Sequence, residues 1–165
     1  MVFYIPKFTY IKKRIFSFFN PDAGTHGAQV TKSLDGISSG GFFGKGIGEG
    51  TLKYKGSEAR TDFIISVISE EFGVVIVILI LMAFLFFIYR VFKKVYHEEN
   101  EKIKLILVGS ITLILAQALI HIGVNIRLFP TTGMTLPFLS YGGSSIISVS
   151  ILSGIILNLT QRKID

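Results

Sequence analysis

Three carboxylates stand at the mouth of a long apolar run: Asp62, Glu70 and Glu71, within the stretch EARTDFIISVISEEFG at residues 58–73. From Phe72 to Tyr89 no residue is charged. An ionised group on that border is costly, so it is retained for a task or held by partners. A positioned carboxylate can take a proton from a reacting hydroxyl, and two can share acid and base work across a glycosidic bond. On a helix over 61–71, Ser66 and Ser69 lie within about 40° of Asp62, Glu70 about 80° away and Glu71 about 180° away. Asp62 and Glu70 then stand roughly 12 Å apart along the axis, beyond the usual spacing of a paired-acid site. Asp62 therefore works alone or with a partner from elsewhere, or it is a helix N-terminal charge suited to capping and the macrodipole. Glu70 and Glu71 read as interior glutamates bonded to neighbouring helices.

Two further sets of residues could carry chemistry. Gln117, His121 and Asn125 are spaced i, i+4, i+8 and share one helix face. They can hydrogen-bond between helices, at about 0.6 kcal/mol per contact in membranes, or relay protons through His121. Lys45, Lys53, Lys55 and Arg60 lie in or beside a stretch with six glycines between Gly40 and Gly50. They could face a pyrophosphate or anionic headgroups, or form a solvated basic loop. A phosphate-binding P-loop is excluded, because Ser39 and Gly46 occupy positions that demand Gly and Ser or Thr.

The elements that must position these groups are membrane elements. Half of the 165 residues are hydrophobic, 17% are charged and the mean hydropathy is +0.59. That composition points to a membrane protein rather than a soluble domain, and the helical spans below make it an all-α integral membrane protein. The net charge of +6 suits headgroups or phosphate rather than nucleic acid. With no Cys there is no disulfide framework or thiolate metal site, and the aromatic, basic start does not fit a signal peptide. Residues 72–92 and 103–126 meet the length needed for a span, and 142–159 form a shorter Ser- and Gly-rich candidate. Residues 93–102 are a charged loop. Residues 127–141 hold Pro130, Gly133 and Pro137 and read as a re-entrant or interfacial turn. Residues 1–60 read as a long loop whose glycine-rich centre is too flexible for a regular element. Basic residues around 93–102 and in the tail at 160–165 argue that those ends are cytoplasmic. Three spans shield a polar site poorly, so the chain is expected to oligomerise or to form part of something larger.

Three stretches, GFFGKGIGEGTLK, ARTDFIISVISEEFG and RLFPTTGMTLPFLSYGGSS, resemble the SEDS family of cell-wall polymerases, the FtsW/RodA/SpoVE proteins. The resemblance covers roughly residues 14–162 and is closer to the division than to the elongation members. It implies about three C-terminal transmembrane helices of a ten-span fold plus a long extracytoplasmic loop. The 1–60 segment is then the end of a preceding span and that loop, 61–92 the catalytic-motif helix and first span, and 127–141 an extracytoplasmic loop. The implied activity is peptidoglycan glycosyl transfer from lipid II during septal cell-wall synthesis in the bacterial cytoplasmic membrane. The resemblance makes Asp62, in Arg60-Thr61-Asp62-Phe63, the catalytic base. Lys45, Lys53, Arg60, Ser140 and Tyr141 would bind substrate, while Glu70, Glu71, Gln117, His121 and Asn125 are structural polar residues. No cofactor is implied, and a divalent cation is left open. The implied partners are lipid II, a class B penicillin-binding transpeptidase, other divisome proteins and membrane lipids. The missing spans suggest a shortened or split gene. The alternatives are a precursor flippase and a fragment that only binds divisome partners.

Overall fold

A computed structural model describes residues 14–16, 18–19, 25–54, 59 and 61–161, so Lys55, Arg60, Arg162 and Lys163 lie outside the described residues. Every regular element among the described residues is helical: α1 (Thr25–Gly40), a 3-10 turn (Leu52–Tyr54), α2 (Ile64–Phe72), α3 (Val74–His97), α4 (Glu101–Asn125) and α5 (Gly143–Gln161). The last three are long and apolar enough to cross a membrane. They meet around a core of Val91, Val95, Leu107, Ile111, Ile114 and Ile156. The rest of α3 is largely exposed, with Ile78, Leu79, Met82, Leu85 and Phe86 on its surface, as befits a lipid-facing helix.

Two boundaries differ from the sequence reading. The charged 93–102 segment is mostly helix, since α3 continues through Lys93 and Lys94 to His97. Long unbranched side chains favour a helix there, and basic residues suit its C-terminal end. Only residues 98–100 remain as the connection, and the Asn100 side chain then caps α4 by accepting from the Lys102 amide. The 1–60 segment is corrected more substantially, because it contains α1. Among the α1 residues whose burial is described, Ser33, Gly36 and Gly40 are buried. A Cβ on Gly40 would collide with the backbone of Ser69, and one on Gly36 with the Leu52 side chain. Small residues let α1 and α2 approach closely, a face that hydrophobic periodicity does not register.

The helix expected over 61–71 begins at Ile64, which leaves Asp62 in the preceding turn. It ends at Gly73, whose φ of 82° breaks the chain between α2 and α3. At its far end α4 closes in a Schellman arrangement: Leu128 N–H donates to the Gly123 carbonyl and Arg127 N–H to that of Val124. Arg127 takes the left-handed conformation (φ 60°) that glycine usually fills. The turn sends the chain back, and Gln117, eight residues before the end of α4, donates to the Thr135 carbonyl at 2.9 Å. The Pro/Gly loop therefore descends about 12 Å alongside α4 before α5 begins.

Candidate active site around Asp62

Asp62 is half-buried, and the backbone on which it sits is clamped from two directions. The Ser140 hydroxyl, on the Pro/Gly loop, donates to the Thr61 carbonyl at 2.7 Å. The Asn125 amide, on α4, donates to the Asp62 carbonyl at 2.9 Å. Neither contact uses the carboxylate; both fix the two peptide units that aim it. Ser140 is in turn held by the Leu136 N–H, which donates to its oxygen at 2.8 Å.

Asn125 is the keystone of this clamp. It is fully buried, and its Nδ2 also donates to the His121 carbonyl at 2.9 Å and contacts His121 Nδ1 at 3.4 Å. Its Oδ1 accepts from the Ser66 hydroxyl at 2.8 Å, and Ser66 meets the hydroxyl of Ser33 on α1. His121 Nε2 lies 3.4 Å from the Thr61 carbonyl; a ring protonated at Nε2 with Nδ1 as acceptor satisfies both neighbours. Three helices and the Pro/Gly loop thus converge on residues 61 and 62. Beneath them Phe63 packs on Val124, and Ile65 on Ala118 and Leu136.

Gly133 lies beside the carboxylate. It has a φ of 73°, and a methyl group added there would lie 3.8 Å from Asp62 Oδ2. Thr132, Gly133 and Met134 are exposed alongside, as is Tyr141.

Glu70 and Glu71 organise a different feature, the glycine-rich turn over residues 41–50. Glu70 is buried and accepts from Lys45 Nζ at 2.9 Å, the Leu52 N–H at 2.9 Å and the Thr51 hydroxyl at 3.1 Å. Burial raises its pKa, but these donors prevail and hold it at about 2. Glu71 pairs with Lys53 at 2.8 Å and raises the lysine above its ordinary value. The Lys45 and Gly46 amides donate to the carbonyls of Glu70 and Glu71. The glutamates therefore bind a loop rather than neighbouring spans.

The expected residues divide accordingly. Asp62, Ser140, His121 and Asn125 come together, with Ser140 buried and its hydroxyl engaged. Gln117 sits lower and bonds Thr135 and Ser145. Lys45 and Lys53 are paired with the glutamates, and Arg60 is outside the described residues. Ser33 and the carbonyls of Thr61 and Asp62 were not singled out by sequence. Ser66, on the Asp62 face of the expected helix, was the one available signal.

Residues 1–164 match the family model for FtsW/RodA/SpoVE, described as cell cycle protein. The chain is 40% identical over 161 residues to the "Probable peptidoglycan glycosyltransferase FtsW" of Enterococcus hirae, covering 95% of this chain and 40% of that protein. It is 38% identical over 157 residues to the protein of the same name from Caulobacter vibrioides, covering 94% and 40%. With the stage V sporulation protein E of Bacillus subtilis it shares 39% over 152 residues, covering 90% and 42%. The chain spans about two fifths of the length of these curated relatives.

Proposed function

Because this chain belongs to the FtsW/RodA/SpoVE family of cell cycle proteins, we propose that it carries the catalytic carboxylate, Asp62, of a peptidoglycan glycosyltransferase. The single observation that supports this reading is the clamp on the Thr61 and Asp62 carbonyls. It fixes the backbone on both sides of one acidic side chain, with Gly133 beside that side chain.

In the proposed reaction the acceptor is the 4-hydroxyl of a GlcNAc on lipid II or a growing strand. Its oxygen attacks C1 of the donor's MurNAc as its proton passes to the Asp62 carboxylate. The new C1–O bond replaces the bond to undecaprenyl pyrophosphate, which leaves with the bonding electron pair. A base of this kind contributes about 10²–10⁴-fold. Glycine at position 133 gives the acceptor its approach, and the clamp spares Asp62 the cost of ordering at the moment of reaction. In this topology the Asp62 face and the Pro/Gly loop are extracytoplasmic and the α3–α4 connection is cytoplasmic. A class B penicillin-binding transpeptidase crosslinks the product at the division septum.

The test is lipid II polymerisation in proteoliposomes. The chain is reconstituted alone and together with the N-terminal spans of the Enterococcus hirae relative, as wild type and as Asp62→Asn. The expected result is glycan polymer with wild type and none with Asp62→Asn in the same preparation. Polymer from Asp62→Asn at the wild-type rate would remove the base. Lipid II crossing the bilayer without polymerisation would favour the precursor-flippase reading.

A further inference from the structure

The exposed apolar side chains of the glycine-rich turn have no role in the site just described. Phe42, Phe43 and Ile47 are 76%, 87% and 80% exposed, and clustered aromatic exposure of this kind marks a contact surface. The turn's position relative to the membrane is fixed by its backbone. Val74 N–H donates to the Gly41 carbonyl at 3.0 Å and Val75 N–H to the Phe42 carbonyl at 3.4 Å. On the other side the Gly44 N–H donates to the Gly40 carbonyl at 2.8 Å. Cβ atoms on Gly44 and Gly73 would strike the backbones of Glu71 and Phe42, so the turn lies directly on the α2–α3 junction. Val74 and Val75 open the apolar run of α3. The turn is therefore held where the hydrocarbon begins.

We propose that this turn is an interfacial membrane anchor that sets Phe42 and Phe43 into the headgroup and upper acyl region of the bilayer. The occupant is lipid because the turn is bonded to the first residues of α3, a lipid-facing span on which Val75, Ile78 and Leu79 are exposed. Phenylalanine is among the apolar side chains that interfacial segments bury shallowly at the headgroup–acyl boundary. The nearby Lys45 and Lys53 do not oppose insertion, since each ammonium is already paired with a glutamate. The anchor holds the α2–α3 junction at a constant height in the membrane, and with it the helix that leads back to Asp62.

The chain contains no Trp, so a single introduced indole reports on its own surroundings. Phe43→Trp, with Phe42→Trp as the second site, is reconstituted in phosphatidylcholine–phosphatidylglycerol vesicles. Phe86→Trp serves as depth reference: it is exposed on α3, about 18 Å below Val74 at 1.5 Å per residue. The expected result is blue-shifted emission from both turn variants. Lipids brominated high on the acyl chain should quench them more strongly than lipids brominated near its end, the order reversing for Phe86→Trp. Emission at the wavelength of indole in water, quenched by aqueous iodide and not by brominated lipid, would overturn the anchor. Protection from both quenchers would overturn it too, since protein would then cover the turn.

Discussion

Replacing Glu70 by Gln removes the charge that holds the glycine-rich turn while keeping the shape of the side chain. In the native protein the carboxylate is 1% exposed and accepts from Lys45, Thr51 and the Leu52 amide. Holding it near pKa 2 against an ordinary 4.5 corresponds, at about 1.4 kcal/mol per pH unit, to about 3 kcal/mol in favour of the ionised, docked state. Gln retains an acceptor oxygen, and Lys45, its side chain 37% exposed, rehydrates when released. The net loss is therefore set at about 2 kcal/mol, within the range for hydrogen bonds to charged groups. Local opening of the turn becomes about 30-fold more frequent, since every 1.4 kcal/mol is tenfold. Hydrogen exchange of the Leu52 amide, which bonds Glu70 directly, reads that opening in the micelle-bound chain. The pH dependence has a definite sign. A folded pKa below the unfolded value contributes stability that is present above about 4.5 and lost as pH falls towards about 2. Wild-type Leu52 protection should decline across that window, and Glu70→Gln protection should not. Equal Leu52 protection in the two proteins at neutral pH would refute the reasoning.

Asn125→Leu removes the donor to the Asp62 carbonyl and the acceptor for Ser66; about 3 kcal/mol of stability should be lost in a denaturant titration, at roughly 1–3 kcal/mol per stranded group. Gly73→Ala forces a Cβ towards the Phe42 carbonyl at a positive φ, and a cost of at least about 2 kcal/mol should appear as faster exchange of the Val74 and Val75 amides. Gln117→Leu leaves the Thr135 carbonyl without this donor and Ser145 without its amide partner; a lower thermal midpoint, with exchange rising in residues 131–136 and not in 41–54, is the expected signature.

The spans were legible because a run of apolar residues of membrane length has few other uses. The α4 stripe was legible because its side chains recur every four residues. What Asn125 holds was not, since its partner is the carbonyl of Asp62 and a backbone atom leaves no mark in side-chain patterns. Serine at 140 had the same invisibility: its acceptor, on Thr61, lies 79 residues earlier. The lysines and glutamates were visible as charges, but their pairing across 25 and 18 residues is a property of the turn's path. That path depends on Gly44 and Gly73 fitting against backbone. Helix α1 stayed hidden for a related reason, since its buried residues among those described are Ser33, Gly36 and Gly40 and not apolar side chains.

The descent of the Pro/Gly loop bears on why a carboxylate can sit beside it. Thr135 is bonded to Gln117 about 12 Å short of the α4 terminus, and the exposed Thr132, Gly133 and Met134 lie on the way down. Peptide groups at that depth are not stable against hydrocarbon; they must face water or other protein. The chain therefore has two unlike sides, a lipid-facing α3 and a side where the loop, α2 and the end of α4 meet and peptide groups need water or protein. Asp62 lies on the second, next to Gly133. Beneath it Phe63 packs against Val124. A carboxylate sunk among spans would be driven towards its neutral, proton-bearing form by desolvation, whereas one in open water would lack fixed aim. What the structure supplies at residue 62 is direction: the Ser140 and Asn125 side chains hold the carbonyls on either side of its Cα.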